Sequence, residues 1–213
     1  EICDKHGVLL IADEVITVVS GLTNPHGIAF RDGAMYIGEE TRVSRAEDAN
    51  TDGVYERPVS VIDGLPAEGH WSRTVVFDSD GALFLSVGSS CNVCEEESEI
   101  RAAISRYSAD GSQGDVFASG LRNAVGLAIH PDTGELWATN NGRDGMGDDV
   151  PPETVNRVTE GADFGWPRCH AGNIVDPDFG GARGCEGVTL PSVTMQAHSA
   201  PLGLAFNTSD VLG

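Results

Sequence analysis

The chain has 213 residues, which is enough to build one sizeable hydrophobic core. It carries 33 Asp and Glu residues against 13 Lys and Arg residues, a formal charge of −20, so nucleic acids and anionic membranes would be repelled over the whole surface. No apolar run is long enough to span a bilayer, and we predict neither nucleic-acid binding nor membrane insertion.

The first 17 residues do not share the pattern of the rest of the chain. Residues 1–7 are typical of a helix end that stops at Gly7, and residues 8–15 of a buried strand with acidic residues at its tip. The Ala-Asp-Glu-Val stretch at 12–15 resembles a segment of class III, pyridoxal-phosphate aminotransferases. That chemistry needs a later Schiff-base lysine, but Lys5 is the sole lysine of the sequence. We therefore interpret residues 1–17 as a foreign segment that precedes a domain at 18–213.

From residue 18 onward a short unit recurs. In each copy an apolar run breaks at a turn and then resumes, as in an antiparallel strand pair. The first runs end at Phe30, Phe77, Ile129 and Phe206, about fifty residues apart except for a longer interval before the fourth copy. Strand pairs at this period, in a chain with 27 Gly and 10 Pro, indicate an all-β fold made of the blades of a β-propeller.

The units can be followed in chain order. We predict strands, blade by blade, at 27–30, 35–37 and 59–62; at 74–77, 83–87 and 103–107; and at 125–129, 135–139 and 154–158. Residues 168–196 form a Gly-rich insertion, and the fourth copy begins near 203. Because a propeller needs a closed ring to avoid bare sheet edges, we predict a truncated, partial ring of about four blades.

The repeat aligns equivalent positions of the blades. Counting seven residues back from the aligned Phe or Ile gives Thr23, His70, Arg122 and Ser199. Equivalent loops of a propeller lie at the same mouth of its central channel, so we expect the base His70 and the cation Arg122 to face one another there, as parts of a site. The alternative is structural: His70 caps a loop or packs beneath Trp71, and Arg122 bonds to loop carbonyls.

The five cysteines suggest disulfides. Cys91 and Cys94 form a Cys-x-x-Cys motif without a following His, which excludes covalent haem attachment. Cys169 and Cys185 bracket the Gly-rich insertion. We predict disulfides 91–94 and 169–185 in an oxidising compartment, with Cys3 left over. A zinc site of four Cys is the alternative, although it has only one paired spacing.

Residues 142–153 form an acidic, Gly-rich loop. Three Asp, one Glu and three Gly in twelve residues offer carboxylates and exposed carbonyls on a backbone that can curl around an ion. The spacing does not fit an EF-hand, so composition leaves a calcium loop and an ordinary acidic turn equally open.

Several of these motifs together resemble one family. Residues 69–73 (Gly-His-Trp-Ser-Arg), 120–123 (Gly-Leu-Arg-Asn), 148–153 and 161–167 are similar to the soluble glucose and sorbosone dehydrogenases that use pyrroloquinoline quinone. The resemblance extends over about residues 20–206. It implies a six-bladed propeller, bound calcium and quinone, and oxidation of a sugar hydroxyl or hydrated aldehyde in the periplasm or outside the cell. It leaves the exact substrate, the electron acceptor and a homodimer open.

The resemblance also implies roles for individual residues. His70 would be the general base, Arg122 would hold the quinone oxygen that gains charge, and Asn123 would bind the adjacent polar edge of the cofactor. The carbonyls of Gly142 and Arg143 would bind the calcium under the quinone, although the family has Pro at the position of Arg143.

Three further positions match a second, structural calcium site: Asp149, Glu153 and the carbonyl of Phe164. The family's cofactor-binding lysine and later arginine pair would fall in blades beyond Gly213. A non-catalytic, calcium-binding propeller used for recognition is therefore the alternative function, since fold does not fix function.

Overall fold

The fold is seen in a computed structural model that describes residues 18–208. The predicted foreign segment, including Cys3, lies outside these residues. Within them the chain is built from fifteen β-strands, as the all-β prediction requires. No helix in the described part of the chain has the length and hydropathy of a membrane span.

The first sheet contains four antiparallel strands in chain order. These are β1 (Pro25–Arg31), β2 (Ala34–Glu39), β3 (Arg42–Glu47) and β4 (Glu56–Asp63). The tight connection between β1 and β2 places Gly33 at φ +77°, a left-handed conformation that glycine adopts without a steric penalty. All six residues of β2 are buried, because this strand is central in the sheet.

The second sheet repeats this arrangement. Its strands are β5 (Val75–Phe77), β6 (Leu83–Val87), β7 (Ala103–Tyr107) and β8 (Asp115–Ser119). The sequence predicted the first three strands, but it did not separate β8 from the run leading into the third blade. In the structure β8 pairs with β7 and is the fourth strand of this blade.

The third sheet takes its fourth strand from a distant part of the chain. β9 (Leu127–Ile129), β10 (Leu136–Asn140) and β11 (Glu153–Val158) are followed in the sheet by β15 (Val193–Met195). The end of the predicted insertion at 168–196 is thus an edge strand of the third blade.

The chain between β11 and β15 leaves the third blade and returns to the second. β12 (Ala162–Asp163) pairs in parallel with β8. A small hairpin of β13 (Cys169–His170) and β14 (Ile174–Val175) follows. The Cys169–Cys185 disulfide closes this excursion, as predicted.

Side chains on the two faces of β6 pack against different neighbouring blades. From β6, Leu83 and Leu85 join a core cluster with Tyr36 of the first sheet. Phe84, between them, joins a cluster with Leu136 of the third sheet. This alternation is the period of a strand that is buried on both faces.

The blades are joined near their first strands. The first strand of each sheet contacts the first strand of the next. Gly27 N–H donates to Arg73 O at 3.0 Å, and a Cβ on Gly27 would lie 2.4 Å from that oxygen, so this contact requires glycine. Thr74 Oγ1 likewise donates to Val125 O at 2.5 Å. The described residues therefore form three consecutive propeller blades, and 197–208 continue beyond them without a strand.

Candidate active site

The connections that carry the predicted site lie at one end of the second and third sheets. His70 precedes β5 and Ser89 follows β6, while Arg122 precedes β9 and Asn141 follows β10. In an antiparallel pair, the start of one strand lies beside the end of the next. The hydrogen bond from Ser89 N–H to Arg122 O, at 2.8 Å, joins the two blades at this end.

His70 is held by Ser89 through backbone and side chain. Its backbone N–H donates to Ser89 O at 3.0 Å, and its Nδ1 lies 3.0 Å from both Ser89 O and Ser89 Oγ. Because a carbonyl oxygen can only accept, these contacts assign the proton to Nδ1 and leave the Nε2 lone pair available. Burial and then the charge of Arg122 lower the pKa of His70 below its ordinary value. The site thus contains a neutral imidazole of fixed tautomer.

Arg122 is buried, with 6% of its surface exposed. Its Nε donates to Asn92 O at 2.9 Å and its Nη2 to Asn92 Oδ1 at 3.0 Å. Nη2 also lies 3.4 Å from a carboxylate oxygen of Asp144. Burial lowers the pKa of Arg122, while the Asp144 charge acts in the opposite direction. The guanidinium is therefore held in one orientation by its neighbours.

Gly88 allows Asn123 to approach His70. A Cβ at Gly88 would lie 2.5 Å from His70 Cβ and 2.7 Å from Asn123 Oδ1, so any larger residue would force these groups apart. Ser72 Oγ contacts Asn123 Oδ1 at 3.3 Å. His70, Arg122 and Asn123, which the sequence placed in one site, are neighbours in the structure.

The two predicted calcium ligand sets meet at Gly142. The carboxylate of Glu153, only 4% exposed, accepts the Gly142 N–H at 2.5 Å. Burial raises the pKa of Glu153. The side chain of Arg143 points away from this pair and bonds to Asp176, which leaves only its backbone for the predicted role.

Oxygen atoms beside Gly142 fit a cation. Asn141 Oδ1 is buried and has no hydrogen-bond partner within residues 18–208. Together with the buried carboxylate of Glu153 it forms an oxygen-rich environment of the kind that calcium prefers. Such a cation would offset the burial of Glu153.

The remaining predicted calcium ligands are placed differently. Phe164 is buried and lines a small cavity with Gly142 and Arg122. Asp149 is exposed, and its carboxylate has no hydrogen bond or ion pair to any residue in the described range. Glu153 and Phe164 thus lie near the site, whereas no contact links Asp149 to it.

Several residues at the site were not predicted. Asn92 and Asp144 hold Arg122, and Trp166 Nε1 donates to Asn92 O at 3.3 Å. The signal available was the position of Asn92 inside the Cys91-x-x-Cys94 motif, whose disulfide the structure contains.

The comparisons with known proteins agree with this architecture. A pyrroloquinoline quinone-dependent sugar dehydrogenase of Hypocrea jecorina is 26% identical over 260 residues, covering 97% of this chain and 60% of that protein. The aldose sugar dehydrogenase of Escherichia coli is 24% identical over 164 residues, covering 68% of this chain and 43% of that protein. The chain thus spans about half the length of the curated relatives it matches.

A solved structure shares the fold. The calcium structure of a Trichoderma reesei carbohydrate-active enzyme of family AA12 superposes with a TM-score of 0.78 at 22% identity, covering 86% of this chain and 58% of that one. The sequence profile for glucose/sorbosone dehydrogenases matches residues 29–213, most of the chain. The chain therefore belongs to the glucose/sorbosone dehydrogenase family.

Proposed function

We propose that this chain belongs to a quinoprotein that oxidises a sugar hydroxyl or a hydrated aldehyde, with His70 as general base. The observation that carries the proposal is the neutral imidazole of His70, with Nδ1–H bonded to Ser89, beside the buried cation of Arg122. The sugar dehydrogenase relatives support the substrate class.

His70 would take the hydroxyl proton of the substrate at Nε2. An imidazole suits this step because its pKa lies near neutral pH, and the bond to Ser89 keeps the basic nitrogen unprotonated. When bound, pyrroloquinoline quinone would accept the hydride that leaves the same carbon, so that substrate loses one proton and one hydride.

Arg122 and Asn123 would hold the quinone in this proposal. The Arg122 guanidinium stays charged and is held rigidly by Asn92, so it can stabilise negative charge without reorganising. Asn123 follows Arg122 in the chain, and its side chain lies with His70 beside Gly88, so it would orient the polar edge of the cofactor.

Calcium would lie beside Gly142 in this scheme. The unpaired Oδ1 of Asn141, the carbonyls of Gly142 and Arg143 and the carboxylate of Glu153 are the oxygen atoms available there. Phe164 O would add to the set. We also propose, from the two disulfides, that the protein works in an oxidising compartment such as the periplasm or the extracellular space.

The test uses His70→Ala in the purified protein supplied with calcium and pyrroloquinoline quinone. We expect the unsubstituted protein to develop the spectrum of the bound quinone and to reduce a dye with aldoses. His70→Ala should still bind quinone but lose about 10²–10⁴-fold in rate. His130→Ala, in the turn at the other end of the third blade, is the control. Unchanged activity of His70→Ala, or no quinone binding by the unsubstituted protein, would refute the proposal.

A calcium-binding propeller used for recognition is the second candidate. The buried, unpaired oxygen of Asn141 favours it, because this atom fits a cation whether or not a quinone binds. Calcium binding without any quinone binding would support this candidate against the enzyme.

A further inference from the structure

A four-residue loop closed by a disulfide contacts Arg122 at the site. Cys91 and Cys94 are joined, and the loop between them follows β6 of the second blade. Asn92, inside this loop, is exposed to solvent, yet its carbonyl oxygen and both polar atoms of its side chain make hydrogen bonds. An exposed asparagine on an irregular loop ordinarily keeps its side-chain freedom, since ordering it costs conformational entropy.

The contacts of Asn92 converge on Arg122 and Asp144. Its carbonyl accepts Arg122 Nε at 2.9 Å, and its Oδ1 accepts Arg122 Nη2 at 3.0 Å. The same Oδ1 accepts the Asp144 N–H at 2.8 Å, and Nδ2 donates to Asp144 O at 3.0 Å. Asn92 therefore joins the second blade to both connections of the third blade that border the site.

The same loop also supports His70. Ser89 Oγ donates to Cys91 O at 2.6 Å. Having donated its proton there, the hydroxyl oxygen can accept from His70 Nδ1 at 3.0 Å. The orientations of the His70 imidazole and the Arg122 guanidinium thus both depend on backbone and side-chain atoms of residues 89–92.

We infer that Asn92 is a positioning residue for Arg122, and that the Cys91–Cys94 disulfide holds Asn92 in place. A closed loop has fewer conformations than an open one, so the bonds to Arg122 form with less loss of entropy. The role of this arrangement in quinone binding rests on the proposed function. The orientation of Arg122 does not.

Different substitutions test the side chain of Asn92 and the disulfide that closes its loop. Asn92→Ala removes the Oδ1 and Nδ2 contacts but keeps the carbonyl that accepts Arg122 Nε. Asn92→Asp keeps the acceptor for Nη2 and for the Asp144 N–H. Cys91→Ser with Cys94→Ser opens the loop. Asn173→Ala, at an exposed position in the excursion, is the matched control.

The first measurement needs no cofactor. Exchange with water of the Arg122 Nη2 protons, whose acceptor is Asn92 Oδ1, can be followed by nuclear magnetic resonance. It should be at least about fivefold faster in Asn92→Ala and in the double Ser variant than in the unsubstituted protein. Asn92→Asp and Asn173→Ala should leave it unchanged. An exchange rate in Asn92→Ala equal to that of the unsubstituted protein would overturn the inference, whether or not the double Ser variant folds.

The second measurement tests the consequence for the cofactor. We expect Asn92→Ala to weaken quinone binding about tenfold, the effect of one hydrogen bond to a charged group. Its kcat should fall while the KM for sugar stays constant, because Arg122 is placed at the quinone and not at the sugar. Asn92→Asp should restore most of the affinity. If the unsubstituted protein binds no quinone, the proposed function fails and the exchange rates alone decide the role of Asn92.

Discussion

Ser89 is the residue through which the second blade controls the chemistry of His70. Its carbonyl and hydroxyl both lie 3.0 Å from Nδ1, so the imidazole has one tautomer whatever occupies the site. Nε2 is therefore the basic nitrogen of the ring. A histidine whose tautomer is fixed in advance loses no free energy to reorientation when it acts as a base.

The positive charge of Arg122 should affect the pKa of His70, and this effect can be measured. Burial and then Arg122 lower the pKa of His70 from 6.5, so the imidazole should titrate below that value. Arg122→Ala removes a nearby positive charge, which should raise the pKa of His70 while burial still lowers it. A pH titration of the imidazole resonance by nuclear magnetic resonance measures both proteins.

Arg157→Ala is the control, because Arg157 pairs with Glu135 on an exposed face of the third blade. A His70 pKa that is the same with and without Arg122 would show that the two side chains do not interact.

The excursion from β12 to β15 has its own buried centre, the carboxylate of Asp176. Asp176, only 2% exposed, accepts from Arg143 Nη1 and from His170 Nε2, the latter at 2.8 Å. Its second oxygen accepts two backbone N–H groups, of Asp178 and Phe179, at 2.8 Å. This carboxylate therefore ties the excursion to the loop that follows β10, where Gly142 lies.

Asp176→Asn should unfold more easily than the unsubstituted protein. Burial alone would raise the pKa of Asp176, but hydrogen bonds from His170, Arg143 and the backbone lower it to about 2. Removing the charge leaves Arg143 without its buried partner and with only the exposed carboxylate of Asp178, which costs about 3–5 kcal/mol in the free energy of unfolding. Urea denaturation at neutral pH measures this loss.

The stability that Asp176 contributes should depend on pH. Because its folded-state pKa lies below the unfolded value of 3.8, its contribution is complete above about pH 4 and disappears as pH falls through about 2. The two proteins should thus become equally stable in strong acid. Asp178→Asn, at an exposed carboxylate 3.5 Å from Arg143, should cost less than about 1 kcal/mol.

The sequence predicted the parts of the fold that are local. The hairpins of β1 with β2 and of β5 with β6 follow from apolar runs around Asp-Gly turns, and the repeat aligned His70 with Arg122. β12 and β15 were not predicted, because their partners β8 and β11 lie far along the chain and the strands are too short to show a period. The hydrogen bonds between Asn92 and Arg122 were also missed, because they join two loops of different blades.

For the molecule as a whole, the formal charge of −20 affects any experiment with cations. A strongly acidic surface repels itself, so every added cation stabilises the folded state to some degree by screening. Stabilisation by calcium is therefore informative only relative to another divalent ion and to a variant that lacks the candidate ligands.

Calcium should affect both the stability of the whole molecule and the protonation of Glu153. Calcium should raise the thermal midpoint of the protein more than an equal concentration of magnesium, because calcium accepts irregular sets of oxygen ligands whereas magnesium demands stricter geometry. Burial raises the pKa of Glu153, so the bound cation, which favours the charged carboxylate, should release protons. Calorimetry in buffers of different ionisation enthalpy measures that release.

Two carboxylate variants separate the site from the acidic surface. Glu153→Gln should abolish the difference between calcium and magnesium together with the proton release, because its carboxylate is the buried one. Asp149→Asn removes the same formal charge from an exposed position without a contact to Glu153, so it should retain both effects. If Asp149→Asn lost them instead, calcium would bind the exposed acidic turn, and the unpaired oxygen of Asn141 would need a different partner.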